Sequence, residues 1–308
     1  MNPWVLRFPP SGTENKGLRA PDRKILTVLG RAVRRAASPL YDECSMGKCA
    51  ILALALLAAS SCKPPEESHS KAIIGAVLID GAGGPPVTNS IVVLAGDRIR
   101  GVGPASAVPI PAQADKINGG GRFLVPALVP VAPNIQGRDE AALARARETA
   151  QPAIARIATL ADAEWMLDHG ATGFVGMILD TETFDPTFLA KLRDLRVVFA
   201  PSLSGAGANL ETARRNTLRL FQAGVPIALS SDGNPLREAE LLAEAGIPPL
   251  DVIVAATRNG AAALHNAASG VIQEGKRANL LLLSANPGED IRNLGRVALR
   301  LVNGEIVN

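Results

Sequence analysis

Apolar residues are patterned in two ways along the chain, and each pattern predicts its own kind of element. Residues 71–80 ("KAIIGAVLID") and 89–103 ("NSIVVLAGDRIRGVG") are short runs rich in Ile and Val. They are separated by "GAGGPP" and broken again at Gly96 and Asp97, so they read as strands and turns. A further strand is predicted from Arg122 onward, within a continuous apolar run over 123–131. The far end of the chain repeats this character in "ANLLLLSA" and "RVALRLVNGEIVN", where Asn303 and Gly304 form a hairpin turn. Two strand-rich ends around a different middle predict one small β domain made from residues 71–125 and 269–308.

The middle, residues 126–268, alternates between strand and helix. "AIARIA" reads as a strand. The helix "TLADAEWMLDHG" follows, with Thr159 as N-cap, Asp162 three residues on and Gly170 past its end. "TGFVGMIL" is the next strand. Asp185 and Pro186 then open a helix as cap and first-turn proline, with Leu189, Leu192 and Leu195 in step. "RVVFAPSL" is a strand, "NLETARRNTLRLFQAG" a helix, "VPIALSSDG" a strand, and 235–245 and 249–264 are helices. This alternation predicts an α/β fold with parallel strands, near 123–131, 154, 174, 198 and 228. A closed (β/α)8 barrel needs roughly 200 residues or more. The alternation is therefore read as about five βα units of a parallel sheet or barrel, too few to close as eight. Missing strands leave open sheet edges, which makes self-association an expectation.

Composition narrows the partners. Apolar residues are 47% of the chain and aromatics only 3%, so the core is aliphatic and stacking faces for nucleic acid are scarce. The net charge of +3 is carried by the amino-terminal part. After residue 61 there are 23 basic and 25 acidic residues, a net of −2, so no nucleic-acid partner is expected. Cys44, Cys49 and Cys62 all precede the body, which rules out thiolate metal sites and disulfides within it.

Residues 46–62 pair Lys48 with an apolar run from Cys49 to Ala59, then small residues and Cys62. These are the proportions of a secretory signal. The segment resembles a bacterial lipoprotein signal, with Cys62 as the lipid-bearing residue and 63–70 as a polar tether. The expected location is the bacterial cell envelope, lipid-anchored or periplasmic. Residues 1–45 then read as a disordered extension upstream of the true start at Met46.

Six stretches carry a family resemblance: "AIIGAVLIDG", "IVVLAGDRIRGVG", "GRFLVPALV", "AGVPIALSSD", "AATRNGAAAL" and "GVIQEGKRANLLLLSANP". They resemble the amidohydrolase superfamily, in its imidazolonepropionase-like and prolidase-like branch. The resemblance implies a TIM-like (β/α) barrel, here incomplete at about five βα units, plus a small β-sandwich formed by both termini. It implies a metal-dependent hydrolase of carbon–nitrogen bonds. Its cation lowers the pKa of a bound water from about 16 to about 7, giving hydroxide at neutral pH. It also implies a His-x-His pair, two later histidines and an aspartate as the site. Matched residue by residue, the pair falls on Ala132 and Asn134, and the later histidines on Arg156 and Val175. Asp232 of "SSDG" alone keeps its family identity, as candidate catalytic or metal-binding residue.

The body's own histidines, His169 at a helix end and His265 after a helix, do not replace four convergent ligands. The expectation is a catalytically impaired, membrane-tethered protein that binds a small molecule or a protein and has no resident cofactor. Asp232 would then accept backbone N–H groups of its loop, and Ser202, Ser204, Ser230 and Ser231 would shape a polar pocket. The alternative is an active hydrolase of C–N or ester bonds with a non-standard site around Asp232. It would use zinc or another divalent metal, or oxygen ligands such as Asp180, Glu182 and Asp185.

Overall fold

The computed structural model describes residues 70–307. Residues 1–45, the expected signal segment 46–62 with Cys62, His69 and nearly all of the expected tether 63–70 lie outside the described residues. No helix among the described residues is long and apolar enough to cross a membrane.

Eight strands from the two ends of the described chain form one mixed sheet. In chain order they are β1 (Ser70–Leu78), β2 (Val87–Ala95), β3 (Arg98–Pro104), β4 (Asp115–Asn118), β5 (Phe123–Pro126), β9 (Leu280–Leu283), β10 (Val297–Val302) and β11 (Glu305–Val307). The spatial order is β11-β10-β9-β5-β1-β2-β3, with β4 also paired to β1. β5 and β9 join the two ends, pairing antiparallel with Val125 opposite Leu281. Side chains alternate across a strand, so this central pair serves two cores. Leu124, Leu280 and Leu282 pack with Ile73, Leu94 and Leu301 inside the terminal sheet. Val125, Leu281 and Leu283 turn the other way, into the core of the helical part. The four leucines of "LLLL" are thus all buried, each worth about 1.5–3 kcal/mol of transfer free energy.

The middle holds β6 (Ile154–Ile157), β7 (Gly173–Gly176) and β8 (Val198–Ala200) as a parallel three-stranded sheet. Its helices are α1 (Glu140–Glu148), α2 (Leu160–Asp168), α3 (Pro186–Asp194), α4 (Leu210–Gln222), α5 (Pro235–Glu244), α6 (Pro249–Val254) and α7 (Gly260–Ala263). A π-helical turn, Ala255–Asn259, joins α6 to α7. The caps are the predicted ones. Thr159 Oγ1 accepts from Asp162 N at 3.1 Å, and Asp185 Oδ1 accepts from Thr187 N at 2.7 Å. Leu192 of α3 is buried, whereas Leu195 is the C-cap and 59% exposed.

Three expectations need correction. The run 123–131 is a regular strand only as far as Pro126. The segment 225–233 is not a regular strand; it pairs only through isolated bridges, Phe199 with Ile227 and Val131 with Ser230. The open edges are also covered. On β6, Ile135 N donates to Ile154 O and Arg156 N to Ile135 O, both at 3.0 Å. On β8, Phe199 N donates to Pro226 O and Ala228 N to Phe199 O, both at 2.8 Å. The remaining seam is closed by Val131 N to Leu229 O at 2.7 Å and Ser231 N to Val131 O at 2.9 Å. The α/β fold is an incomplete TIM-like one, not closed into a full eight-stranded barrel, and two irregular segments give both edges of its short sheet backbone partners. One aliphatic side chain or two from each segment fill the interior: Val131, Ile154, Val175, Val198, Ala200 and Ala228.

Candidate functional site

Asp232 follows the last of these parallel segments, at the carboxyl end where reactive side chains of such folds gather. Its carboxylate is fully engaged. Arg156, from β6, approaches as a fork, with Nη1 to Oδ2 at 2.8 Å and Nη2 to Oδ1 at 2.9 Å. Ser202 Oγ donates to Oδ2 as well, and lies 3.1 Å from Ser230 Oγ. Ser230 Oγ in turn accepts from Asp232 N at 3.0 Å. Asp232 therefore accepts from side chains, not from backbone N–H groups of its loop. The Arg156 guanidinium, aided by Ser202, holds the Asp232 carboxyl below its ordinary value, against the opposing pull of desolvation. The same pairing raises Arg156 further above its already high value.

The other positions assigned to histidines offer a cation nothing. Ala132 carries no donor atom and is exposed. Asn134 has both ends of its amide committed, with Oδ1 accepting from Ile154 N at 2.9 Å and Nδ2 donating to Pro152 O at 2.7 Å. It ties its segment to β6 in place of ligating. Val175 is 0% exposed and belongs to the aliphatic interior. These residues do not fit the cation that the fold family implies, because the one retained carboxylate already carries a cationic partner.

Acids elsewhere do not converge on Asp232. Asp180 Oδ1 caps Leu160 N at 2.9 Å, and Asp185 caps α3. Glu182 pairs with Arg215 and Arg219, and the Arg215 contact draws its pKa down to about 2. His169 stacks on Trp165 with ring centroids 3.9 Å apart, and His265 Nδ1 lies 3.3 Å from Ala150 O on the surface. Among the described residues, no group of three or more His, Cys, Asp or Glu side chains could hold a metal ion.

Glu238 is a buried carboxylate beside this site that sequence reasoning missed. It is 1% exposed on α5 and accepts from Leu203 N and Ser204 N, both at 2.9 Å, and from Ser204 Oγ. Burial pushes its carboxyl above the ordinary glutamate value despite these bonds. Ser204 is thus spent on Glu238 and does not line a polar pocket with Ser202. By fixing the loop after β8, Glu238 positions Ser202 against Asp232.

The Amidohydrolase family model matches residues 176–307. Over 76 residues the chain is 41% identical to the imidazolonepropionase of Cutibacterium acnes, covering 22% of this chain and 19% of that one. The chain thus spans about a fifth of the length of that curated relative. Among solved structures, a putative prolidase from Bifidobacterium longum superposes with a TM-score of 0.66 at 18% identity, covering 78% of this chain and 94% of that one. The ochratoxinase of A. niger gives 0.66 at 14% identity, covering 77% and 95%. The chain therefore has an amidohydrolase-superfamily fold. That fold is like those of prolidases, with the barrel incomplete and no intact metal-binding cluster among the described residues.

Proposed function

We propose that this chain is a non-catalytic, envelope-tethered relative of the metal-dependent amidohydrolases that acts by binding. The observation that carries this reading is the fork between Arg156 and Asp232. A guanidinium supplies positive charge to the retained carboxylate, and it neither accepts water as a ligand nor acidifies it as a divalent ion does. Ser202 donates to Asp232, but this carboxylate is a poor general base, because the Arg156 guanidinium lowers its proton affinity below that of an ordinary aspartate. The mismatch between donors and cation is the support for a lost activity. The apolar run before Cys62 is the support for the tether.

The experiment is to incubate the purified 308-residue chain with Zn²⁺ and Mn²⁺, dialyse it, and measure bound metal by mass spectrometry together with hydrolysis of Xaa-Pro dipeptides. The expected result is bound metal far below one ion per chain and no hydrolysis above background. One metal per chain with hydrolysis lost in Asp232→Asn overturns the reading. For the tether, palmitate labelling in a bacterial host is expected to disappear in Cys62→Ala. Equal labelling of both chains places the lipid elsewhere.

A further inference from the structure

A second cavity, of about 590 Å³, lies between the terminal sheet and the helical turn that follows α6. None of its lining residues belongs to the Asp232 cluster. Its size falls in the range of small-ligand sites. Leu78, Val87, Val102, Val271 and Ile272 give it apolar walls. Its polar side chains are Asp80, Arg258, Asn266, Ser269, Gln273 and Lys276.

Three of these polar groups have capacity that the protein leaves unused. Lys276 Nζ donates once, to Ala267 O at 2.6 Å, leaving two of its three hydrogens. Arg258 donates to Ala82 O and, weakly, to Asn259 Oδ1 at 3.4 Å. Among the described residues neither cation has a carboxylate partner. Asp80 is turned to its own loop, with Oδ1 accepting from Ala82 N at 2.8 Å. Ser269 is only 9% exposed, and its Oγ is buried without a hydrogen-bond partner.

The framework around these groups is built tightly. Arg258 stands on the π-helical turn, a distortion that recurs at functional sites. Gly270, next to Ser269, has a φ of +89°, and a Cβ there would stand 2.9 Å from Thr257 O and 3.0 Å from the Cα of Arg258. The backbone carrying Ser269 is thus pressed against the turn carrying Arg258. Ile272 N closes the other side by donating to Asp80 O at 2.8 Å.

We infer that this cleft binds a small carboxylic acid with a compact apolar tail. The carboxylate takes hydrogen bonds from Lys276 and Arg258, and the tail lies along the valine and isoleucine wall. This deepens the binding reading proposed above and rests on it only for its biological meaning. Occupancy of the cleft is measured by binding alone, so its failure leaves the metal result untouched.

The test is calorimetric titration of the full chain with octanoate, with octanol as the uncharged control. Octanoate is expected to bind saturably at one site, with octanol about tenfold weaker or more, the equivalent of about 1.4 kcal/mol for the lost anion. Lys276→Gln is expected to weaken octanoate by about tenfold. Ala262 is exposed on the helical wall of the cleft, so Ala262→Trp fills it without entering the packed core and is expected to abolish binding. Each variant is first checked for the parent's cooperative thermal transition, and a variant that fails it is left to the others. No saturable binding of octanoate by the folded parent overturns the inference. Equal affinity for octanol, or undiminished binding by a folded Ala262→Trp or Lys276→Gln, overturns it equally.

Discussion

Gly176→Ala is expected to leave almost no folded protein. Gly176 ends β7 opposite Ile157 of β6, with a φ of +115°, a region that side-chain-bearing residues rarely adopt. A Cβ there would stand 2.2 Å from Ile157 O, inside any permissible contact. The clash is with backbone, so relief requires β6 and β7 to separate, and Arg156 sits on the displaced strand. Strain of about 1–3 kcal/mol for the dihedral adds to overpacking of similar size. A total of about 4 kcal/mol is a large part of a domain's typical stability. Gly137→Ala is the control. Its φ is +61°, but no atom lies within 4 Å of the added Cβ, so a loss of about 1 kcal/mol is expected. Soluble yield and urea unfolding of the two variants check this. Equal stability would show that β6 and β7 are not held at this spacing.

Glu238→Ala is expected to cost about 3 kcal/mol, because it strands the N–H groups of Leu203 and Ser204, the first in a buried setting. The dependence on pH has a definite sign. Burial raises the folded-state pKa of Glu238 above its ordinary 4.5. Its stabilising contribution is therefore complete below the unfolded value and declines as pH rises through the folded one. The difference between parent and variant is expected to be largest in mild acid and to shrink toward neutrality. Denaturant titrations at several pH values read this directly. A difference that grows with pH would mean that Glu238 acts as an ordinary ionised acceptor.

Much of the fold is legible because its signals are local. Thr159, Asp185 with Pro186, and Gly224 mark helix ends by chemistry that acts within a few residues. The unbroken run of leucines in β9 marks a strand buried on both faces. β4 escapes notice because it is four residues long and mostly polar, and its order comes from pairing with β1. The irregular segment 225–233 reads as a strand from its apolar content, yet only tertiary pairing decides how much of a ladder it makes. At the site, Asp232 is legible through its motif. Its partner is not, since an ion pair spanning 76 residues leaves no local pattern, and Arg156 reads only as a vanished ligand position. Glu238 did leave a signal. It is an acid on the buried face of α5, among Pro235, Ala239 and Leu242. The octanoate cleft has no sequence signature, because it exists only where the two ends of the chain meet the π-helical turn.

The pairing of β5 with β9 has a consequence for how the molecule is made. Val125 meets Leu281 across more than half the length of the chain, so a ribosome must deliver the later strand before the earlier one finds its neighbour. Until then β5 offers an apolar edge to chaperones and to other nascent chains. Closing so long a loop is entropically slow, which puts the assembly of this sheet at the end of folding and makes it the step most exposed to proteolysis.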